Sequence, residues 1–166
     1  MAKIPLIHSA SYGLELHDTH KVMGQKSTVL YNAISAMHWS KKFETVTCSG
    51  VSPKDLTLAH DEKYIDRFVN NHLSRSEMKL INLPWSTRLL NRSLLTPAGT
   101  FEAAKLALKT GVACHTAGGS HHAYRNFGYG FCVFNDLAYA ALRLQKEKLA
   151  RRVLILDCDV HQGDGT

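Results

Sequence analysis

No stretch of this 166-residue sequence approaches the roughly 18 continuous apolar residues that a membrane-spanning helix needs. The start, Met1-Ala2-Lys3-Ile4-Pro5-Leu6-Ile7, lacks the long apolar region and small-residue cleavage site of a signal peptide, and reads as a first β-strand. Cysteine is scarce. Cys48, Cys114, Cys132 and Cys158 form no CxxC pair, and each lies in or beside an apolar segment. This argues against a disulfide framework and for buried free thiols in a reducing compartment, so the cytoplasm is the expected location. Basic blocks are missing as well. The formal net charge is +6, yet no run of Lys or Arg exceeds two residues. The charge is therefore expected to solvate the surface, with no direct nucleic-acid or membrane binding. Repeats, low-complexity tracts and linkers are absent, and the length suits one domain.

What is present is an alternation of strand and helix patterns. Ile4–His8, Phe43–Cys48 and Val112–Thr116 read as strands. Thr19–Met37 carries a partial apolar stripe, and Asp61–Asn70 places Tyr64, Ile65 and Phe68 on one helical face. Ser52-Pro53-Lys54-Asp55 is a helix-start signal. After the break at Leu83-Pro84-Trp85, a long helix is expected to reach Thr110, with Gly111 as its C-terminal cap. Asn135–Lys148 is amphipathic, with Asn135 or Asp136 near its cap. Arg152-Val153-Leu154-Ile155-Leu156 is an apolar run of the fully buried strand type. The pattern points to an α/β fold with a mostly parallel sheet.

The last ten residues carry the most chemistry. Asp157, Asp159 and His161 recur every second residue, so in an extended chain they share a face, with Cys158 and Val160 turned into packing. They follow an apolar strand, and ligands of open α/β sheets bind beyond the carboxyl ends of strands. Two carboxylates and an imidazole there suit a divalent metal, and nitrogen and oxygen donors with an open position are the pattern of a catalytic zinc site. Capping acids beside a surface histidine would explain the same tract. Three acids and one histidine within residues 157–164, Asp164 being the third acid, tilt the reading toward function. A second cluster, Gly118-Gly119-Ser120-His121-His122-Ala123, follows the third strand. Its glycines permit a sharp turn, and neutral imidazole suits proton transfer near neutral pH. Two adjacent histidines also occur as a plain surface pair. A third piece, Gly128-Tyr129-Gly130-Phe131-Cys132, either sets an aromatic face beside a ligand channel or is a turn with a core phenylalanine.

Taken together, GGSHHA (118–123), GYGFCVFND (128–136) and RRVLILDCDVHQGDGT (151–166) resemble the histone deacetylase family of the arginase–deacetylase superfamily. Ala59–Ile65 and Leu95–Thr100 agree with it, and the chain looks closest to the bacterial, class IV-like branch. The resemblance covers essentially the whole chain but only the first part of the family's domain. It implies a three-layer α/β/α fold, incomplete here, with residues 1–166 as the N-terminal part of a single deacetylase domain. It implies zinc on Asp159 and His161, and tandem histidines at His121 and His122 backed by Asp157 and Asp164 respectively. It also implies Gly130 and Phe131 lining an acyl-lysine tunnel, and a structural potassium ion held around Asp157, Asp159 and His161. Zinc would polarise the amide carbonyl and lower the pKa of its bound water toward about 7. His122 would take the proton, and a histidine would protonate the leaving amine. The substrate would be an acetylated protein or a small-molecule amide.

Many family members have a second histidine where this chain has Gln162, although Gln also occurs in the bacterial branch. The family's third metal ligand, a later Asp, and its oxyanion-stabilising Tyr lie beyond Thr166. A carbonyl-polarising donor is worth about a hundredfold or more in rate, so the chain by itself is expected to be inactive. The strand ending at Asp157 pairs in the family with later strands, so the chain alone is expected to be unstable or oligomeric. A non-catalytic remnant or interaction fragment is the alternative. An arginase-like manganese site fits less well, because Cys158 and Val160 separate the acids and the tandem histidine is present.

Overall fold

A computed structural model describes residues 3–16 and 24–166. Three short parallel strands form the sheet: β1 (Ile4–Ile7) lies in the middle, flanked by β2 (Phe43–Val46) and β3 (Cys114–His115). Ile4 pairs with Phe43 and Ile7 with Val46 on one side, and Leu6 pairs with Cys114 and Ile7 with His115 on the other. Because β1 has a neighbour on both edges and helices over it, Leu6 and Ile7 are buried.

Five α-helices accompany these strands among the described residues. α1 spans Lys26–Ala36; the expected stretch Thr19–Met23 lies outside the described residues. α2 (Glu62–Val69) starts where Asp61 Oδ1 accepts from the N–H groups of Lys63 and Tyr64, at 2.9 and 3.2 Å. It buries Tyr64, Ile65 and Phe68, as its spacing predicts. α3 (Arg75–Ile81), absent from the sequence reading, begins in a capping box between Ser74 and Glu77 and ends at Asn82 in the left-handed conformation. α4 (Thr87–Thr110) is capped by Ser86 and stops at Gly111, whose φ of 84° an L side chain rarely adopts. α5 (Asp136–Lys146) is capped by Asn135, which accepts from Ala138 N–H at 2.9 Å. α4 packs on both α5 and β1. α2, α3, α4 and α5 all contribute to a core that includes Tyr64, Phe68, Ile81, Leu89, Phe134 and Tyr139. The architecture is α/β, a parallel three-stranded sheet with helices packed against it.

Five expectations are corrected. Ser52-Pro53 starts only a 3-10 turn at Asp55–Leu58, where Ser52 Oγ accepts from Asp55 N–H and donates to its carboxylate. Residues 152–156 are not a strand: Leu154 is 90% and Leu156 82% exposed. An apolar run becomes a strand only when neighbours take its N–H and C=O groups, and among the described residues no strand lies beside it. Cys158 and Val160 are likewise exposed instead of packed, and of the four free cysteines only Cys132 is buried. The chain beyond Leu156 bends, so the alternation of faces expected for an extended segment does not hold.

Candidate active site

The loop after β3 is shaped by what it must reach. Gly118 and Gly119 have φ of 96° and 74°. A Cβ on Gly118 would stand 2.6 Å from Asp136 Oδ2 and 2.9 Å from Thr100 Oγ1, so no larger residue fits. The turn aims two main-chain N–H groups at the first residue of α5: Gly119 N donates to Asp136 Oδ2 at 3.1 Å and Ser120 N to Oδ1 at 2.7 Å. Asn135 grips the other end of the loop, donating through Nδ2 to Ala123 O and to Thr166 Oγ1.

Between these anchors, His121 and His122 meet two different carboxylates of the C-terminal segment. His121 Nδ1 is 2.6 Å from Asp157 Oδ2, and His122 Nδ1 is 2.7 Å from Asp164 Oδ1. Gly165 N donates to His121 O at 2.8 Å, which clamps the segment onto the loop. A Cβ on Gly163 would lie 2.5 Å from Asp157 Oδ2 and 3.1 Å from His121 Nδ1, so this glycine lets the chain pass beside the pair. The hydrogen bond from His121 holds the Asp157 carboxyl below the usual carboxylate range, helped by Asp159 N–H. The hydrogen bond from His122 does the same for Asp164, helped by the Tyr124 hydroxyl. An ionised carboxylate only accepts, so both rings donate through Nδ1 and direct Nε2 away from the carboxylates.

Asp159 and His161 bond to each other. His161 N donates to Asp159 Oδ1 at 2.7 Å, and the ring Nδ1 lies 2.9 Å from the same oxygen. Both side chains are exposed, and the hydrogen bonds from His161 hold Asp159 below the ordinary carboxylate range. The His161 ring lies 6.1 Å from that of His122, centroid to centroid, and the two tandem rings are 4.2 Å apart. The two pairs are therefore neighbours on one side of the molecule. An imidazole nitrogen and a carboxylate oxygen are donors zinc accepts. Zinc takes at least three protein ligands, and among the described residues no group of three or more His, Cys, Asp or Glu gathers to hold a metal ion.

Gly130 touches the same place: a Cβ there would lie 2.9 Å from His122 Cδ2. Phe131 follows in the left-handed region, with φ of 68°, and is exposed. The N–H groups of Gly130 and Phe131 are tied to Leu80 O and Ile81 O, at the end of α3. Tyr129 presents its ring to His122 at 5.9 Å and 88°. Sequence reasoning missed Tyr124 and Tyr129, and saw Asn135 and Asp136 only as helix-capping candidates. The signal for the latter two was the Asn-Asp pair closing the GYGFCVFND segment.

The profile described as histone deacetylase domain matches residues 20–166. Among curated relatives, an uncharacterized protein of Picosynechococcus sp. is 47% identical over 111 residues, covering 67% of this chain and 37% of that protein. The acetoin utilization protein AcuC of Bacillus subtilis is 31% identical over 171 residues, covering 96% of this chain and 44% of its own length. A probable deacetylase of Methanothermobacter thermautotrophicus is 28% identical over 166 residues, covering 97% and 48%. The chain thus spans less than half the length of each of these relatives.

Proposed function

Since the chain belongs to the histone deacetylase family, as the match over residues 20–166 shows, we propose that it is the N-terminal part of one deacetylase domain and supplies half of a site for zinc-dependent hydrolysis of an acetylated amine. One observation carries the reading. Two adjacent imidazoles are each hydrogen-bonded to their own carboxylate, and the ring of His122 lies 6.1 Å from that of His161, which bonds to Asp159.

In this reading His122, held in its Nδ1–H form by Asp164, takes a proton at Nε2 from the attacking water. The Asp164 carboxylate stabilises the imidazolium that results. His121, backed by Asp157, sits close enough to share that charge or to protonate the departing amine. Asp159 and His161 would hold the zinc ion, whose contribution when bound is to draw electron density from the acetyl carbonyl. Gly130 leaves the His122 ring open on one side, and Phe131 offers an apolar wall for an acyl-lysine chain. The substrate class is an acetylated protein or a small acetyl amide, and the working compartment is the cytoplasm.

A second reading, a non-catalytic interaction fragment, is favoured by the exposure of Leu154, Leu156 and Val160. Hydrolysis of an acetyl-lysine peptide by the zinc-loaded chain, and by whatever extension its reading frame encodes, separates the two. Activity that disappears with a chelator and in His122→Ala supports the enzyme. Turnover that survives His122→Ala overturns the role given to that residue, and no turnover in either form leaves the fragment reading standing.

A further inference from the structure

Asp136 is fully buried, and it is the one acid among the buried polar residues described. Three donors converge on its carboxyl group: Gly119 N–H, Ser120 N–H and the Thr100 hydroxyl, at 3.1, 2.7 and 2.5 Å. The hydroxyl belongs to a longer chain. Thr100 Oγ1 is 3.1 Å from His115 Nδ1, and His115 Nε2 is 2.8 Å from the Tyr12 hydroxyl.

Donor counting fixes the direction of every link. Thr100 spends its one proton on Asp136, so it must accept from His115 Nδ1–H. His115 Nε2 is then an acceptor, and Tyr12 donates to it. The ring must be neutral for this, and burial pushes its pKa down to about 4. No space is left for variation along the path: a Cβ on Gly99 would lie 2.4 Å from the Tyr12 hydroxyl and 2.5 Å from His115 Nε2.

We infer that Asp136 is the positioning residue of the tandem histidines: it holds the two N–H groups immediately before His121, and the Tyr12–His115–Thr100 chain orients its carboxyl group for that task. This rests on the deacetylase reading for its catalytic consequence, but not for its geometry. Loop glycines with left-handed φ have no side chains to hold them, so the placing of His121 and His122 falls to Asp136 on one flank and Asn135 on the other. The hydrogen-bonded chain links Tyr12 through β3 and α4 to α5, so Tyr12 acts on the site through it.

The test uses Thr100→Val, Thr100→Ser and Asp136→Asn, read by nitrogen-15 NMR of the imidazoles in the chain and by acetyl-lysine peptide kinetics in the chain joined to whatever extension its reading frame encodes. In the wild type His115 should be the Nδ1–H form, with downfield Nδ1–H protons on His121 and His122. Thr100→Val keeps the volume and cuts the chain. It should release His115 from that form and weaken the two downfield signals, and kcat should fall about tenfold with KM little changed. Thr100→Ser keeps the hydroxyl and should restore both readouts, although it packs less well. Asp136→Asn should reverse the chain, leaving His115 as the Nε2–H form. The inference is overturned if Thr100→Val leaves the His121 and His122 signals as in the wild type, or if Thr100→Ser resembles Thr100→Val. Intact His60 signals certify the fold in each variant. Absence of hydrolysis both in the chain and in whatever extension its reading frame encodes would remove the deacetylase reading while leaving the NMR result to decide this one.

Discussion

The main-chain N–H of Asn135 donates to Nε2 of His60 over 2.9 Å, and the opposite ring nitrogen of His60 lies 3.0 Å from Tyr124 O. One nitrogen accepts and the other donates, so the buried ring is neutral. Burial depresses its pKa to about 4, against opposing hydrogen bonds to the main chain of Tyr124 and Arg125. Between that value and the unfolded value near 6.5, the unfolded chain binds the extra proton. Stability therefore falls as pH drops through this window and is insensitive to His60 above it. The loss from His60 by pH 4 is about 3 kcal/mol, and His115 adds to it in the same direction. Urea midpoints measured from pH 7 to pH 4 should show the decline, and His60→Phe should lower the plateau while flattening the slope. An unchanged slope in that variant would refute the assignment.

Gly163→Ala should break one dyad selectively. The added methyl would fall 2.5 Å from Asp157 Oδ2, so the carboxylate must leave His121. His121 should lose its downfield Nδ1–H signal while His122 keeps its own, and acetyl-lysine hydrolysis by the chain joined to whatever extension its reading frame encodes should fall about tenfold or more. Both signals surviving would mean that the segment shifts to accommodate the methyl.

Asn135→Ala removes the cap of α5 and the ties to Ala123 O and Thr166 Oγ1. A loss of about 2 kcal/mol in unfolding free energy is expected, since a cap and a buried hydrogen bond are each worth about 1 kcal/mol. A denaturant titration that shows no change would count against the clamp.

Replacing Leu154 and Leu156 together by Asp should leave the unfolding midpoint within about 0.5 kcal/mol of wild type, because both side chains lie in solvent. Sedimentation should show less self-association, since an exposed apolar segment is what neighbouring molecules adhere to. A large drop in stability would show that the segment packs after all.

Two helix ends were legible because capping is local chemistry: Asn135 and Gly111 each act on groups a few residues away. Ser74 and Glu77 spelled a capping box just as plainly, but α3 is short and its apolar pattern weak. The apolar run 152–156 misled because hydrophobicity says that a strand could be buried, not that partners stand beside it. The pairs His121–Asp157 and His122–Asp164 came from the resemblance, since spacing alone does not join residues that far apart. Asp136 stayed hidden because an acid at a helix start has an ordinary explanation. Only the fold shows that its three donors come from two other segments.

β1 sits at the centre of the sheet, and Ile7 O accepts from the hydroxyl of Thr116, 109 residues later. During synthesis the strand that closes its second edge emerges roughly five to twenty seconds after β1 itself, at ordinary ribosomal speeds. For that interval one edge of β1 has no neighbour, so the sheet is completed only after most of the chain has been made.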